Sequence, residues 1–277
     1  MIPEGTPYFG LLPVVGGIIV ATWLLSIVTK NYSWVDRLWS VLPPIYVGVV
    51  AAQLHFADAR LNLMTALTTL WGARLTYNFA RKGGYDPREE DYRWAVLRAR
   101  LGPTKFQLFN ATFIAPYQNV LLFLMAAPAH TAWTHQSPLG PLDVALAILF
   151  VVLLVGETVA DEQQWRFHLA KAAAKARGET LDPAFCTTGL FRFSRHPNFF
   201  CEISMWWVVY AFALSASGSF FDPSGIGALL LTLLFLGSTS FTERISAAKY
   251  PAYARYQETT SRLLPWFPGP AIERVGG

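Results

Sequence analysis

The run Gly189-Leu190-Phe191-Arg192-Phe193-Ser194-Arg195-His196-Pro197-Asn198-Phe199-Phe200-Cys201-Glu202 sets an amide and a carboxylate just behind a basic cluster. Pro197 fits the first turn of a helix, where its missing N–H costs nothing. Asn198 and Glu202, four residues apart, then share one face of that helix. A carboxylate a turn inside an apolar helix is expensive and normally faces a protein interior or a wet cavity. Arg192, Arg195 and His196 gather positive charge beside the helix N-terminus, a combination suited to a phosphate or carboxylate. A membrane-interface anchor would account for the two arginines alone. It would not account for Glu202.

Three further sets carry chemistry. Glu157, Asp161 and His168 follow one another at steps of four and seven, which puts them on one helical face. Carboxylates there accept hydrogen bonds from ribose hydroxyls or an amide. The tail offers Lys249, Tyr253 and Tyr256. Tyrosine and basic residues together hold a phosphate and a ring system, and are equally ordinary at a membrane interface. Near the N-terminus, Asn31-Tyr32-Ser33-Trp34-Val35-Asp36-Arg37-Leu38-Trp39 puts Asp36 at the edge of an apolar stretch, while Arg74 and Tyr77 lie within another. An embedded arginine needs a partner, for which Asp36 and Glu157 are candidates. Gln118 and Asn119, inside a further apolar run, are accounted for by interhelical hydrogen bonding. Cys186 and Cys201 make no CxxC, and no His/Cys grouping has metal-ligand spacing, so no metal is expected.

The elements that must position these residues are long and apolar. The chain of 277 residues is 53% hydrophobic and only 14% charged, against about 25% charged in soluble domains. A bilayer-crossing helix needs about 20 mostly apolar residues, and in lipid only helices or closed barrels satisfy the backbone. The apolar runs here are too long and continuous for barrel strands. They predict an all-α, polytopic membrane protein with seven transmembrane helices near 9–29, 39–56, 61–80, 108–129, 141–160, 198–217 and 226–242. The second is interrupted by Pro43-Pro44 and the third holds Arg74. No Lys or Arg precedes Lys30, so the first reads as a retained helix and not a signal peptide.

Orientation follows from the basic residues. Of the 22 Lys and Arg, 20 fall after the first span, in the polar loops 81–107 and 161–197, and in the tail 243–277. Arg60 alone lies on the other side. The asymmetry places the N-terminus outside and the C-terminus in the cytoplasm. It also explains the net charge of +4 without any nucleic-acid partner. The chain reads as a single membrane domain over 1–277, with no obligatory protein partner evident.

Ser33-Trp34-Val35-Asp36-Arg37-Leu38-Trp39, Leu70-Trp71-Gly72-Ala73-Arg74-Leu75, Gly189-Leu190-Phe191…His196-Pro197-Asn198-Phe199…Glu202 and Tyr253…Tyr256…Leu264-Pro265 resemble the family of bacterial membrane proteins related to steroid 5α-reductases. The resemblance runs from about residue 30 to residue 267. It implies seven transmembrane helices, a bacterial inner membrane, a cofactor site facing the cytoplasm, and NADPH-dependent reduction of the C4–C5 double bond of a 3-oxo-Δ4 steroid. By position, Asn198 and Glu202 resemble the residues that hold the nicotinamide amide and cofactor. Asp161 resembles a ribose-side or adenine-side Asp, and Glu157 falls where reductases of the family often have Asn. His168 stands where a phosphate-binding Arg is expected, and Arg74 matches a cofactor-proximal Arg. The family's ketone-binding Glu has Asp36 as its replacement here. Trp71 stands at the family's Tyr position, leaving Tyr77 or Tyr32 as donors. The phosphates would meet Arg192, Arg195, His196 and the basic tail. An apolar steroid-like substrate would enter from the membrane lipid. The Gly-Leu-Phe…Asn…Glu run is shared in looser form with isoprenylcysteine methyltransferases. An S-adenosylmethionine-dependent methyltransferase using Arg195, His196, Pro197 and Glu243 is therefore the alternative.

Overall fold

The computed structural model describes residues 7–267, and among these there is no strand. The helices in chain order are α1 (Leu12–Thr29), α2 (Trp34–Leu38), α3 (Leu42–Gln53), α4 (Ala59–Arg81), α5 (Tyr92–Phe109), α6 (Gln118–Met125), α7 (Ala127–Thr134), α8 (Pro141–Ala176), α9 (Pro197–Ser217), α10 (Ile226–Lys249) and α11 (Tyr253–Thr259). The residues between α5 and α6, Asn110–Tyr117, continue the helix with π-type winding.

Along α1 and α8 the distribution of side chains is the reverse of a soluble protein's. On α1 the buried residues are Val15, Thr22 and Ser26, while Val14, Val20, Leu24, Leu25 and Val28 are exposed. On α8, Asp143 is fully buried, while Leu142, Val144, Ile148, Val152 and Val155 are exposed. Lipid removes the penalty on exposed aliphatics, so small and polar residues are left to line helix contacts.

Among the described residues, five helical stretches are long and apolar enough to cross a membrane: Phe9–Thr29, Tyr92–Thr134, Pro141–Ala176, Pro197–Ser217 and Pro223–Lys249. The other two expected spans take a different form. Pro43 and Pro44 begin α3 instead of breaking it, and α3 is only 12 residues long. That is about 18 Å, short of a hydrocarbon core about 30 Å thick. Helix α4 has the length but carries Arg60, Arg74 and Arg81. The two pack closely at Gly72, where an added Cβ would come within 2.4 Å of Ser40 O and 2.9 Å of Pro44 Cγ.

The expected polar loops are largely helical. Beyond Ala160, α8 continues to Ala176 through a sequence rich in Ala, Lys, Gln and Glu, all strong helix formers. Likewise 92–109 forms α5, with a break at Gly102 (φ 74°) before Pro103. The chain falls into two compact units, Met1–Leu149 with Trp206–Leu231, and Phe150–Met205 with Thr232–Gly277.

Candidate functional site

In the second unit, α8 and α9 approach as antiparallel neighbours. Gly156 makes room for Cys201, whose Sγ would lie 3.2 Å from a Cβ at position 156. One turn along, Asn198 Nδ2 donates to Asp161 Oδ1 at 3.3 Å. This register brings Glu157 level with Glu202. Three carboxylates result, Glu157 and Asp161 on α8 and Glu202 on α9, each at most 4% exposed. Carboxylates buried beside apolar helices are functional until shown otherwise. Three buried acceptors, one of them bonded to a carboxamide, suit a ligand rich in hydroxyl and amide donors. His168, two turns beyond Asp161, is exposed on the polar end of α8.

The turn before α9 rests on Gly189. Its φ of 62° is left-handed, and a Cβ there would come within 2.4 Å of Gln163 Oε1. That oxygen accepts from Leu190 N at 2.9 Å. Arg192 is exposed. Arg195 is not free to meet an anion. Its Nε and Nη2 donate to Glu243 Oε1 and Oε2 at 2.7 and 3.0 Å, and Nη1 donates to the carbonyls of Gln257 (2.9 Å) and Thr260. His196 Nε2 lies 3.0 Å from Glu243 Oε1. These two residues therefore fix the tail to the turn. Ser194 Oγ adds a bond to Leu263 O at 2.8 Å, and Trp266 N donates to Phe193 O at 2.9 Å.

Tyr253 and Tyr256 are buried beneath this tail and pack with Phe185. Tyr256 Oη donates to Phe191 O at 2.5 Å. Burial, then the neighbouring Tyr253, pushes its phenol up, so it remains a neutral donor. Lys249 is exposed, with its ammonium 5.3 Å from the Tyr250 ring. Lys171, not singled out by sequence, donates to Tyr250 Oη at 2.8 Å.

In the first unit, Trp94 Nε1 donates to Asp36 Oδ2 at 3.1 Å. Burial holds the Asp36 carboxyl above its ordinary range, and Arg93 opposes that rise. Tyr32 is buried, with Oη accepting from Gln107 Nε2 at 2.5 Å and the Arg98 guanidinium 5.0 Å from its ring. Tyr77 is 66% exposed and carries Arg81 over its face at 5.6 Å. Arg74 is half-buried on α4.

Arg37 explains much of the Trp-Val-Asp-Arg-Leu-Trp motif. Its side chain donates to the backbone oxygens of Gly84, Asp86 and Glu89 at 3.0–3.1 Å. Asn31 Nδ2 holds Pro87 O and Glu89 O at 2.9 Å. Sequence reading also missed the Arg60–Asp143 pair, a two-point ion pair at 2.8 and 2.9 Å in which both side chains are almost wholly buried. Its only sequence signal is an Asp opening an otherwise apolar helix.

The fold and site thus define an all-helical protein with helices of membrane-crossing length and a buried cluster of carboxylates. The chain belongs to the family described as "Protein of unknown function (DUF1295)", which matches residues 22–260. It is 37% identical over 290 residues to the uncharacterized protein C594.04c of the fission yeast Schizosaccharomyces pombe, covering 95% of this chain and 82% of that one. Sequences of this kind are therefore not confined to bacteria. No solved structure matches the chain.

Proposed function

We propose that the protein is a membrane oxidoreductase that uses NADPH to reduce the C4–C5 double bond of a 3-oxo-Δ4 steroid or a similar apolar enone. The observation that carries this reading is the set of buried carboxylates Glu157, Asp161 and Glu202, with the half-buried Asn198 bonded to Asp161. Its three carboxylates are acceptors for ribose hydroxyls, and a carboxamide both donates and accepts. The exposed Arg192 and Lys249 are cations left to meet phosphates, whereas Arg195 and His196 are engaged by Glu243. The residues present therefore fit a nicotinamide dinucleotide in kind.

In this reading α3, extended by its flanking residues, and α4 add to the five long apolar stretches, so that the chain crosses the membrane seven times with its N-terminus outside. The cofactor site faces the cytoplasm and the substrate arrives from lipid. NADPH, when bound, supplies the hydride. The protein supplies position and electrostatics. Asp36, whose carboxyl burial raises above its ordinary range, donates in its protonated form a hydrogen bond that polarises the substrate ketone, with Tyr32 or Tyr77 as the alternative donor. A proton at the α-carbon then completes the two-electron reduction.

Methyl transfer from S-adenosylmethionine is the second reading. Its candidate residues Arg195, His196 and Glu243 do converge, although they are engaged with one another. The deciding experiment is NADPH consumption by the detergent-purified protein with and without progesterone, with S-adenosylmethionine binding measured in parallel. Steroid-dependent oxidation yielding a 4,5-dihydro product, with affinity dependent on the 2′-phosphate, is expected. Binding of S-adenosylmethionine with no NADPH binding would replace the reductase by the methyltransferase.

A further inference from the structure

The π-wound stretch Asn110–Tyr117 and the buried face of α1 enclose a polar seam that the proposed reaction does not use. Asn110 Nδ2 donates to Ser26 Oγ at 2.8 Å. Asn119 Nδ2 donates to Thr22 Oγ1 at 3.1 Å and to Ala115 O at 2.8 Å. The NH2 halves of both amides are thus spent on holding this segment together and against α1. Since Thr22 and Ser26 are four apart, the two asparagines meet α1 one turn from each other.

The carbonyl halves have no such duty. Asn110 Oδ1 and Asn119 Oδ1 have no hydrogen-bond partner, although both residues are 0% exposed. Gln118 Nε2, on the adjoining residue at 4% exposure, has none either. A bare amide oxygen in an apolar surround is strongly unfavourable. Helix pairing does not require it, because Ser or Thr would pair with α1 and leave less behind. An acceptor of this kind complements a hydroxyl, which donates to it.

The local backbone is also unusual. π-Helices are rare, usually single turns, and frequent at functional sites; this one runs for eight residues. Along it Phe109, Phe113 and Tyr117 form a continuous stack, with ring centroids 4.8 Å apart at each step and interplanar angles of 18° and 9°. The stack is half-buried, begins beside Asn110 and ends beside Gln118. It presents a ladder of near-parallel rings on the helical segment that carries the polar seam.

We propose that this seam is a binding site for a lipophilic alcohol with a flat apolar body, its hydroxyl donating to Asn110 or Asn119 Oδ1 and its body lying along the Phe109–Phe113–Tyr117 ladder. The site stands apart from the reductase reading, and its test needs no turnover.

The probes are 1-pyrenemethanol and 1-methylpyrene, which share one flat fluorescent body and differ in the hydroxyl. Their binding to the detergent-purified full-length protein is measured by quenching. The alcohol is expected to bind about tenfold tighter, the effect of one hydrogen bond to an otherwise unmet buried acceptor. Asn110→Leu and Asn119→Leu together should abolish that preference while leaving methylpyrene binding unchanged. Phe113→Ala should weaken both probes alike. Equal affinities in the unaltered protein would overturn the proposal and leave the seam to water. So would a preference that survives in the double variant. Because the comparison between probes is made first on the unaltered chain, a variant that fails to fold does not remove the test.

Discussion

Arg195 and Glu243, separated by 48 positions, form a two-point ion pair at 2.7 and 3.0 Å in which both side chains are less than one-tenth exposed. The pair joins the turn before α9 to the end of α10. Gln257 Nε2 and His196 complete the shell around the same carboxylate at 2.9 and 3.0 Å. Buried charge of this kind is tolerable because every partner is in place.

Glu243→Leu should therefore destabilise the fold by about 3–5 kcal/mol, since the Arg195 guanidinium is left buried without its counter-charge. Thermal unfolding in detergent would show the loss. Limited proteolysis should cut first between Gln257 and Trp266, the segment that the network holds down.

A double-mutant cycle at Arg60 and Asp143 should show strong coupling. Each single change, Arg60→Met or Asp143→Leu, should cost about 3–5 kcal/mol, whereas the double change should recover most of that stability. Additive losses would mean that the pair does not act as a unit.

Asp36 predicts a pH dependence. Burial, the largest cause, lifts its carboxyl above the ordinary value of 3.8, with Arg93 and the Trp94 and Ser33 hydrogen bonds opposing and Asp91 assisting. A raised carboxyl means that the folded chain binds the extra proton. The stabilising contribution is full below the ordinary value and is lost as pH rises through the folded value. The stability of the wild-type protein relative to Asp36→Asn should fall as pH climbs from about 4 towards neutrality. A difference that stays flat across that range would show a carboxyl with no raised value.

Gly189→Ala should cost about 1–2 kcal/mol from its left-handed backbone alone, and it would press Gln163 away from Leu190 N. In the reductase reading, NADPH affinity should fall with it, because this turn leads directly into Asn198. Gly10→Ala, which meets nothing within 4 Å, is the matched control.

Sequence pattern reached some of this and stopped at identifiable places. Helical period and charge exclusion were enough to foresee α1, α8, α9 and α10, and to set Glu157 with Asp161 and Asn198 with Glu202. They did not distinguish an arginine beside a ligand from one beside Glu243, because hydrogen-bond partners 48 residues away leave no local signature. Taken locally, Arg195 and His196 therefore resemble an anion site. Arg60 was read as an outside loop charge because its partner, Asp143, lies 83 positions on. Helix α8 runs to Ala176, past the apolar limit near Ala160, because local propensity persists where hydropathy ends. Pro43-Pro44 looked like an interruption and is instead a helix start.

Arg37 grips Gly84, Asp86 and Glu89 by their main-chain oxygens. Every residue type carries such an oxygen. These three holds therefore do not depend on the side chains at 86 and 89, although the Asp86 carboxylate separately accepts from Arg88 N within the turn. The burden of constancy falls on the one cation. A single change at position 37 would release three holds at once, whereas a change at 89 would leave all three acceptors in place.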